Sequence, residues 1–417
     1  MQNSQPLNPN RLFLASRIAL IATAMTFAIR ANLMGTLGIQ FNILPTDMGI
    51  VIGTAFWGFT LSMIAGGFLC DIFGMKRLLV IAFSAHVLGI ILTIASSGFW
   101  SLFISTLLVG IGNGMVEAAC NPLVASLYPE QKTKKLNQFH VWFPGGIVIG
   151  GLIAFGLDTV KVSWEVQLGA ILLPTLAYGV LFFNQTFPST ERVSKGISTS
   201  EMAKACLNPL FIVMVFCMLF TAATELGTNQ WIKELLSNIG IPSILLLVFI
   251  NGLMAIGRSF AGDIEHRLSA SGMLLFSAIF SAVGLILLGN TAGYWSFAAA
   301  GIFAIGICFF WPTMLGYVSE NMPNTGALGL SIIGGAGMFS VSLILPLMGK
   351  LYESETVKNL PSGYTLASLK TAVENSPDSI ILKTAQLAGG TSTLQYIAVL
   401  PIVLTVAFAF LYFKRKK

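Results

Sequence analysis

Long apolar segments alternate with short polar segments along nearly the whole chain. Each apolar segment can cross about 30 Å of hydrocarbon as a helix, and a helix is required because lipid offers the backbone no hydrogen-bond partner. The pattern predicts an all-α membrane protein with twelve transmembrane helices, spans 1 to 12, and both termini on one side. The segments lie at roughly residues 12–38, 48–69, 78–97, 100–127, 138–158, 166–187, 209–228, 242–262, 271–290, 295–318, 327–349 and 393–413.

A polar segment at residues 188–208 divides the chain halfway, with six spans on each side. It predicts an N-terminal six-helix bundle over 1–187 and a C-terminal six-helix bundle over 209–417, joined by a cytoplasmic linker. A second long polar segment, 350–392, is predicted to form an external loop before span 12.

The two halves repeat each other weakly. Span 4 contains Asn121-Pro122 and precedes a glycine-rich span 5, whereas span 10 contains Trp311-Pro312 and precedes a glycine-rich span 11. A parallel repeat of six spans is typical of two bundles that face each other across an axis along the membrane normal. The predicted fold is therefore two pseudo-symmetric six-helix bundles.

The composition excludes several classes of protein. Hydrophobic residues make up 55% of the chain and charged residues 10%, against about 25% charged residues in soluble proteins. Too few charges remain to cover a water-exposed surface, which excludes a soluble enzyme, and a chain this apolar is not disordered.

The basic residues fall mainly on one side of the predicted membrane. Of the 23 Lys and Arg residues, fifteen lie on the side of the termini, six lie on the other side and two lie inside spans. Because cytoplasmic loops carry the excess of Lys and Arg, both termini are predicted to be cytoplasmic, in the inner (plasma) membrane. The net charge of +6 belongs to these loops and indicates no nucleic-acid partner.

No catalytic or cofactor site is indicated. The five cysteines form no CxxC motif or Cys/His cluster, so neither a disulfide framework nor a metal site is predicted. The chain contains no GxxxxGK[ST] loop for ATP. We expect a monomer that is not an enzyme and needs no cofactor; its expected partners are the bilayer, a small-molecule substrate and protons.

The loop between spans 2 and 3 carries the most specific motif. Gly67, Asp71, Gly74, Lys76 and Arg77 form the pattern G-x-x-x-D-x-x-G-x-[KR]-[KR]. An aspartate at a helix end opposite basic residues can latch neighbouring helices in one of two states; the alternative is an ordinary charged turn. At this place the pattern resembles the signature loop of the major facilitator superfamily, which implies a conformational switch.

The second half has a looser counterpart of this loop. Arg258 lies one turn before Gly262, and Arg267 follows it. The pair resembles the superfamily's second signature loop, so both arginines are assigned to the conformational switch.

Span 4 carries a narrower resemblance. The run Glu117-Ala-Ala-Cys-Asn121-Pro122, continued by Pro129-Glu130 and Leu136-Asn137, resembles the fucose permease branch, the sugar:proton symporters. This resemblance implies that Glu117 acts in substrate recognition and coupling. It also implies an acidic residue in span 1, where this chain has none and carries Arg30 instead.

Arg30 is the least expected residue of the apolar segments. An arginine in mid-membrane costs about 2.5–3.5 kcal/mol and should face the bundle interior with a partner. Glu117 lies at a similar depth in span 4, and spans 1 and 4 line the central cavity of the superfamily fold. The two are predicted to meet in at least one state, either as a substrate and coupling pair or as a structural salt bridge.

Further polar and aromatic residues are predicted to line a substrate cavity. Amide and acid groups suit a hydroxylated ligand, and an indole ring can stack on a sugar face. The alternatives are an interfacial cap, support for a proline-broken helix and plain packing. His140, near the inner end of span 5, is either a proton relay or a solvated histidine. The cavity candidates are Asn121, Glu225, Asn229, Gln230, Trp231, Trp142 and Trp311.

These features together predict a secondary active transporter that works by alternating access. The favoured substrate is a sugar or sugar derivative carried with protons. The alternative is an organic anion such as a uronate, which Arg30 would bind through a forked hydrogen bond. A drug exporter and a non-transporting membrane sensor are weaker alternatives.

Overall fold

The structure, a computed structural model, describes residues 7–128, 135, 138–188, 203–237, 242–369 and 376–415. It excludes the side chains of residues 68, 71, 125, 259, 261–267, 319–320, 323, 326–327 and 330. The predicted linker, 188–208, therefore lies mostly outside the described residues, as do Pro129, Glu130, Leu136 and Asn137.

The described residues form twelve helices, numbered here α1 to α12 to match the spans. Those of the first bundle are α1 (Pro9–Gln40), α2 (Pro45–Phe73), α3 (Met75–Ile94), α4 (Phe99–Leu127), α5 (Trp142–Thr159) and α6, which has two segments, Trp164–Gly169 and Leu172–Phe182. Within the residues that the structure describes, eleven helical stretches are long and apolar enough to span a membrane, and α8 is a shorter apolar helix. The predicted all-α fold is confirmed.

The second bundle has more interrupted helices. Its α7 runs through Pro209–Ala222, a π-helical turn at Ala223–Gly227 and Thr228–Leu235; α8 is Ile244–Ser259, α9 is Ala261–Leu288, α10 is Trp295–Ile307 with Phe310–Asn321, α11 is Gly326–Lys358, and α12 is Pro377–Ile397 with Val399–Arg415. Both bundles begin in the same way: Asn8 caps α1 before Pro9, and Asn208 caps α7 before Pro209. Asparagine accepts a free helix N–H, and proline at the first position has no N–H to satisfy.

An even number of spans places both termini on one side, called the terminal side below; the other is the opposite side. The bundles pack closely along α2 and α11. A β-carbon on Gly49 would lie 2.7 Å from the carbonyl oxygen of Leu345. On the same pair of helices, the rings of Trp57 and Phe339 meet edge to face with centroids 5.0 Å apart. Glycine is needed at position 49 because any side chain there would push the bundles apart.

The buried apolar residues fall into two cores. One core joins the second bundle to the half of the first bundle nearer the opposite side, and it includes Leu33, Leu37 and Trp231. The second core holds the terminal-side half of the first bundle and includes Leu20 and Tyr178. The bundles are thus joined by shared packing on the opposite side.

The predicted external loop 350–392 is wrong in extent. Helix α11 continues to Lys358 and α12 begins at Pro377, so the connection is residues 359–376, with one helical turn at Leu366–Leu369. The polar residues of this segment lie on helix ends that pack together: Tyr352 and Glu355 are buried. Mean hydropathy misses such helix ends because their polar groups are covered by protein.

Candidate transport site

Arg30 lies inside the first bundle with its charge unpaired. Its side chain is 5% exposed, and its Nε donates to the carbonyl oxygen of Thr26 at 2.8 Å. Among the described residues, neither of its terminal nitrogens has a hydrogen-bond partner and no carboxylate forms an ion pair with it. The guanidinium carbon lies 5.5 Å from the centre of the Phe27 ring, an attractive contact for a cation. Two forked N–H donors are therefore free to bind an acceptor.

A buried network of polar side chains supports the turn of α1 that precedes Arg30. The Nε2 of His86 donates to Asn113 Oδ1 at 2.8 Å, and Asn113 Nδ2 donates to Thr26 Oγ1 at 3.0 Å. The Tyr178 hydroxyl is 2.9 Å from His86 Nδ1 and completes the chain. The network joins α6, α3 and α4 to α1, and it fixes Thr26, whose carbonyl holds Arg30. Asn113 and Thr26 were not predicted from the sequence, although an asparagine inside an apolar span is a usable signal.

Glu117 lies within a second polar cluster on α4 and at the start of α5. Asn121 Nδ2 donates to Glu117 Oε2 at 2.7 Å, and His140 Nε2 donates to Asn121 Oδ1 at 3.0 Å. Asn121 therefore bonds with side chains, in addition to any role at the proline-broken turn. The predicted contact between Arg30 and Glu117 is absent from this state and stays a prediction for another state.

Glu225 and Arg258 form a buried ion pair in the second bundle. Arg258 NH2 donates to Glu225 Oε1 at 2.9 Å, and the Arg258 Nε donates to the carbonyl oxygen of Cys308. The other carboxylate oxygen, Glu225 Oε2, is buried without a partner in the described chain. This geometry differs from the assignment of Arg258 to the charged turn: the side chain points into the bundle and joins α8 to α7 and α10.

Asn229, Gln230 and Trp231 are buried on α7, next to the π-helical turn that carries Glu225. Within the described residues, Asn229 Nδ2, Gln230 Oε1 and Trp231 Nε1 have no hydrogen-bond partner. Unpaired polar groups at such depth are costly and often mark a ligand site. The Trp231 ring also packs against Tyr352, with ring centroids 6.1 Å apart.

The other two tryptophans that were predicted for the site, Trp142 and Trp311, pack against their own bundles. A β-carbon on Gly337 would lie 2.9 Å from the Trp311 ring, so glycine makes room for this indole. Trp142 is half-buried and contacts the terminal-side core. Their predicted stacking role is untested.

The motif between α2 and α3 forms a tight turn. Gly74 has a φ of 80°, which favours glycine because it has no β-carbon, and it ends α2 as α3 begins. Lys76 and Arg77 are exposed just after it, and a β-carbon on Gly67 would lie 3.3 Å from Ser331 Oγ of α11. The side chains of Asp71 and Arg267 lie outside the described residues, so the predicted latch stays a prediction.

A cluster of polar residues closes the opposite side. Asn32 Nδ2 donates to Asp158 Oδ2 at 2.9 Å and to Gln167 Oε1 at 3.1 Å, and Gln167 Nε2 donates to Asp158 Oδ1 at 2.6 Å. From the second bundle, Lys233 Nζ donates to the carbonyl oxygen of Asn32. The cluster ties α7 to α1, α5 and α6, and it was not predicted from the sequence.

A cavity of about 450 Å³ lies on the terminal side, between residues 204–208 and 321–325. None of the predicted site residues lines it. The candidate site is therefore the set of buried charged and unpaired polar groups described above.

The sequence profile of the Major Facilitator Superfamily matches residues 18–353. The chain belongs to this superfamily. It is a multi-pass membrane transporter, and the proteins that it resembles are transporters and not enzymes.

Two curated relatives cover about two thirds of the chain. The hexuronate transporter of Bacillus subtilis (strain 168) is 26% identical over 318 residues, 68% of this chain and 74% of that protein. The cis,cis-muconate transport protein of Acinetobacter baylyi is 23% identical over 296 residues, 66% of this chain and 71% of that protein.

Solved structures agree in fold. A bacterial homologue of the human lysosomal transporter spinster, in an inward-facing and unoccupied conformation, aligns with a TM-score of 0.75 at 14% identity, covering 97% of this chain and 96% of that chain. The xylose transporter XylE from E. coli, partially occluded and inward-open, aligns with a TM-score of 0.72 at 12% identity, covering 95% and 96%. The predicted superfamily and its two-bundle fold are confirmed.

Proposed function

We propose that this transporter carries a sugar acid, a hydroxylated carboxylate, together with protons. The free guanidinium of Arg30 carries the proposal: a buried cation with two unpaired N–H donors is a ready partner for a carboxylate, which accepts both in a fork. The unpaired groups of Asn229 and Gln230 would serve the hydroxyls of the same ligand. The two relatives named above, for hexuronate and for cis,cis-muconate, both act on organic acids and support this class.

A neutral sugar or polyol is the second candidate. The buried, unpaired donors and acceptors on α7 favour a hydroxylated ligand with or without a carboxylate. A match over 127 residues to a myo-inositol transporter of Saccharomyces cerevisiae and one over 379 residues to a hexose transporter of Toxoplasma gondii point in the same direction. What separates the two candidates is whether Arg30 binds the ligand.

Paired substrates test the proposal. D-glucuronate and D-glucose differ only at C6, where one has a carboxylate and the other a hydroxymethyl group. In proteoliposomes containing the purified transporter, we expect labelled glucuronate to accumulate under an outside-acid pH gradient and the protonophore-treated control to show no accumulation. Glucose should compete weakly. Uptake of glucose in preference to glucuronate would establish the neutral-sugar candidate, and uptake of neither would contradict the proposed class.

We propose that the protein lies in the plasma membrane with its terminal side facing the cytoplasm, because most of its basic residues lie on that side. Substituted cysteines test this orientation. Of the five native cysteines, only Cys206 is not buried, so Cys206→Ser gives a quiet background. In that background we expect a membrane-impermeant maleimide to label Ser362→Cys, exposed between α11 and α12, on intact cells. Lys204→Cys, exposed before α7, should label only after permeabilisation; the reverse pattern would invert the topology.

A further inference from the structure

We propose that His140 is the group through which Glu117 exchanges its proton with the terminal-side solution. The inference deepens the proposed function and rests on it, because it assumes that Glu117 carries the coupled proton. Histidine suits such a step because it gains and loses a proton near neutral pH.

The geometry brings the two groups close without a direct bond. His140 Nε2 lies 4.0 Å from Glu117 Oε2, and Asn121 lies between them with one hydrogen bond to each. A shift of the imidazole by about 1 Å would turn the 4.0 Å approach into a direct hydrogen bond. Asn121 thus holds the pair just apart in this state.

The two side chains differ in their access to water. The side chain of Glu117 is 9% exposed, whereas that of His140 is 29% exposed. His140 lies two residues before α5, and Glu117 lies ten residues before the end of α4 on the same side. A proton leaving the carboxyl therefore has a partly exposed base within 4.0 Å.

The charges around His140 are few. Among the described residues, Glu117 of α4 and Arg258 of α8 act on the ring, and Arg258 is itself paired with Glu225 of α7. Two other cations of the described residues, Lys135 and Arg17, both lie over the Phe13 ring. Glu117 is therefore the one acidic group of the described chain that His140 faces directly.

The proton step balances in both directions. In the forward direction, a hydronium ion of the terminal-side solution protonates neutral His140 at Nδ1 and becomes water; the imidazolium then gives its Nε2 proton to the Glu117 carboxylate, which leaves a neutral imidazole protonated at Nδ1 and a carboxylic acid. The reverse sequence releases the proton to the terminal side. In the intermediate, imidazolium and carboxylate form an ion pair.

The first test uses transport rates. Gln at position 140 keeps an N–H donor for Asn121 but cannot titrate. For His140→Gln we expect glucuronate exchange near the wild-type rate and pH-driven uptake slowed by about tenfold, while the final accumulation is unchanged, because a relay alters a rate and not the stoichiometry. In a Glu117→Gln background the same substitution should have no further effect on the pH dependence.

Equal slowing of exchange and pH-driven uptake would show a structural role and overturn the proposal, as would pH-driven uptake at the wild-type rate. If the wild type itself shows no accumulation under a pH gradient, the proton coupling of the proposed function fails first, and the relay fails with it. A wild type that accumulates glucuronate with an unaffected His140→Gln variant refutes the relay alone.

The second test needs no substrate. The chain has three histidines, so histidine-labelled protein in detergent gives few ring signals by NMR, and the signal lost in His140→Gln identifies His140. We expect this signal to titrate and its midpoint to change in Glu117→Gln, while the signal of His86, which is fully buried, stays constant. A His140 signal that does not titrate, or one whose midpoint is the same in the wild type and in Glu117→Gln, would contradict the proposal even if glucuronate proves not to be a substrate.

Discussion

We expect Arg30→Ala to weaken binding of a sugar acid by roughly a hundredfold and to spare the fold. Truncating one partner of a buried, charged hydrogen-bonded pair costs about 3 kcal/mol, or roughly a hundredfold in Kd. Arg30→Lys keeps the charge but not the fork, and we expect an intermediate loss of about tenfold. Equilibrium binding of labelled glucuronate to purified protein gives the affinity directly.

Two controls separate this result from general damage. Arg11, on the same helix, donates to backbone carbonyls of α6 near the terminal side, so Arg11→Lys should bind glucuronate like the wild type. The affinity for labelled glucose, measured directly, should be nearly the same in Arg30→Ala and in the wild type, because a neutral sugar does not need the guanidinium. An equal loss for both ligands would place Arg30 in the scaffold and not in the carboxylate contact.

Much of the fold could be predicted from the sequence because lipid imposes simple rules. Hydropathy located all twelve helices, since each must bury about twenty apolar residues to cross the bilayer. The helix ends were less predictable. At residues 350–392 the polar side chains lie between packed helix ends, and Thr356 of α11 lies against Gly389 of α12. Hydropathy reports transfer to lipid and does not register burial between helices.

The sequence marks candidate site residues but not the contacts between them. Arg30, Glu117 and Glu225 stand out because an ionisable residue within a span needs a reason to be there. Which side chains meet depends on helix phase and side-chain reach. The π-helical turn at Ala223–Gly227 alters the phase of α7 around Glu225, and no residue type in that turn announces it. Arg258 reaches Glu225 from a position that sequence alone assigned to a helix end.

Polar networks were the least predictable part. The chain from Tyr178 through His86 and Asn113 to Thr26 joins four helices, and its hydrogen bonds depend on their relative rotation. The cluster of Asn32, Asp158, Gln167 and Lys233 is similar. Single residues in such networks can be marked from sequence, but their partners are known only once the helices are placed.

We expect Glu117→Gln to retain the exchange of substrate across the membrane but to lose its accumulation. Glutamine is close in size to glutamate and can still accept the hydrogen bond from Asn121, so the local packing is retained. Because the amide cannot carry a proton, we expect glucuronate exchange close to wild type and no accumulation under an outside-acid pH gradient. Glu165→Gln, at the start of α6 and away from the site, is the matched control and should accumulate glucuronate normally.

The reason is that Arg30 has two possible partners, the carboxylate of the substrate and that of Glu117. In this state its terminal nitrogens are free and Glu117 is held by Asn121. If α1 and α4 shift within the first bundle so that Glu117 reaches Arg30, the carboxylate and the substrate compete for one guanidinium, and protonation of Glu117 releases the arginine to the substrate. Proton and substrate binding are then linked, and Arg30→Ala should remove the pH dependence of whatever binding remains.

If the double variant Arg30→Ala/Glu117→Gln binds and accumulates glucuronate like the wild type, the pair is structural. Structures of both states with the side chains more than about 8 Å apart, too far for one bridging water, would exclude the competition itself.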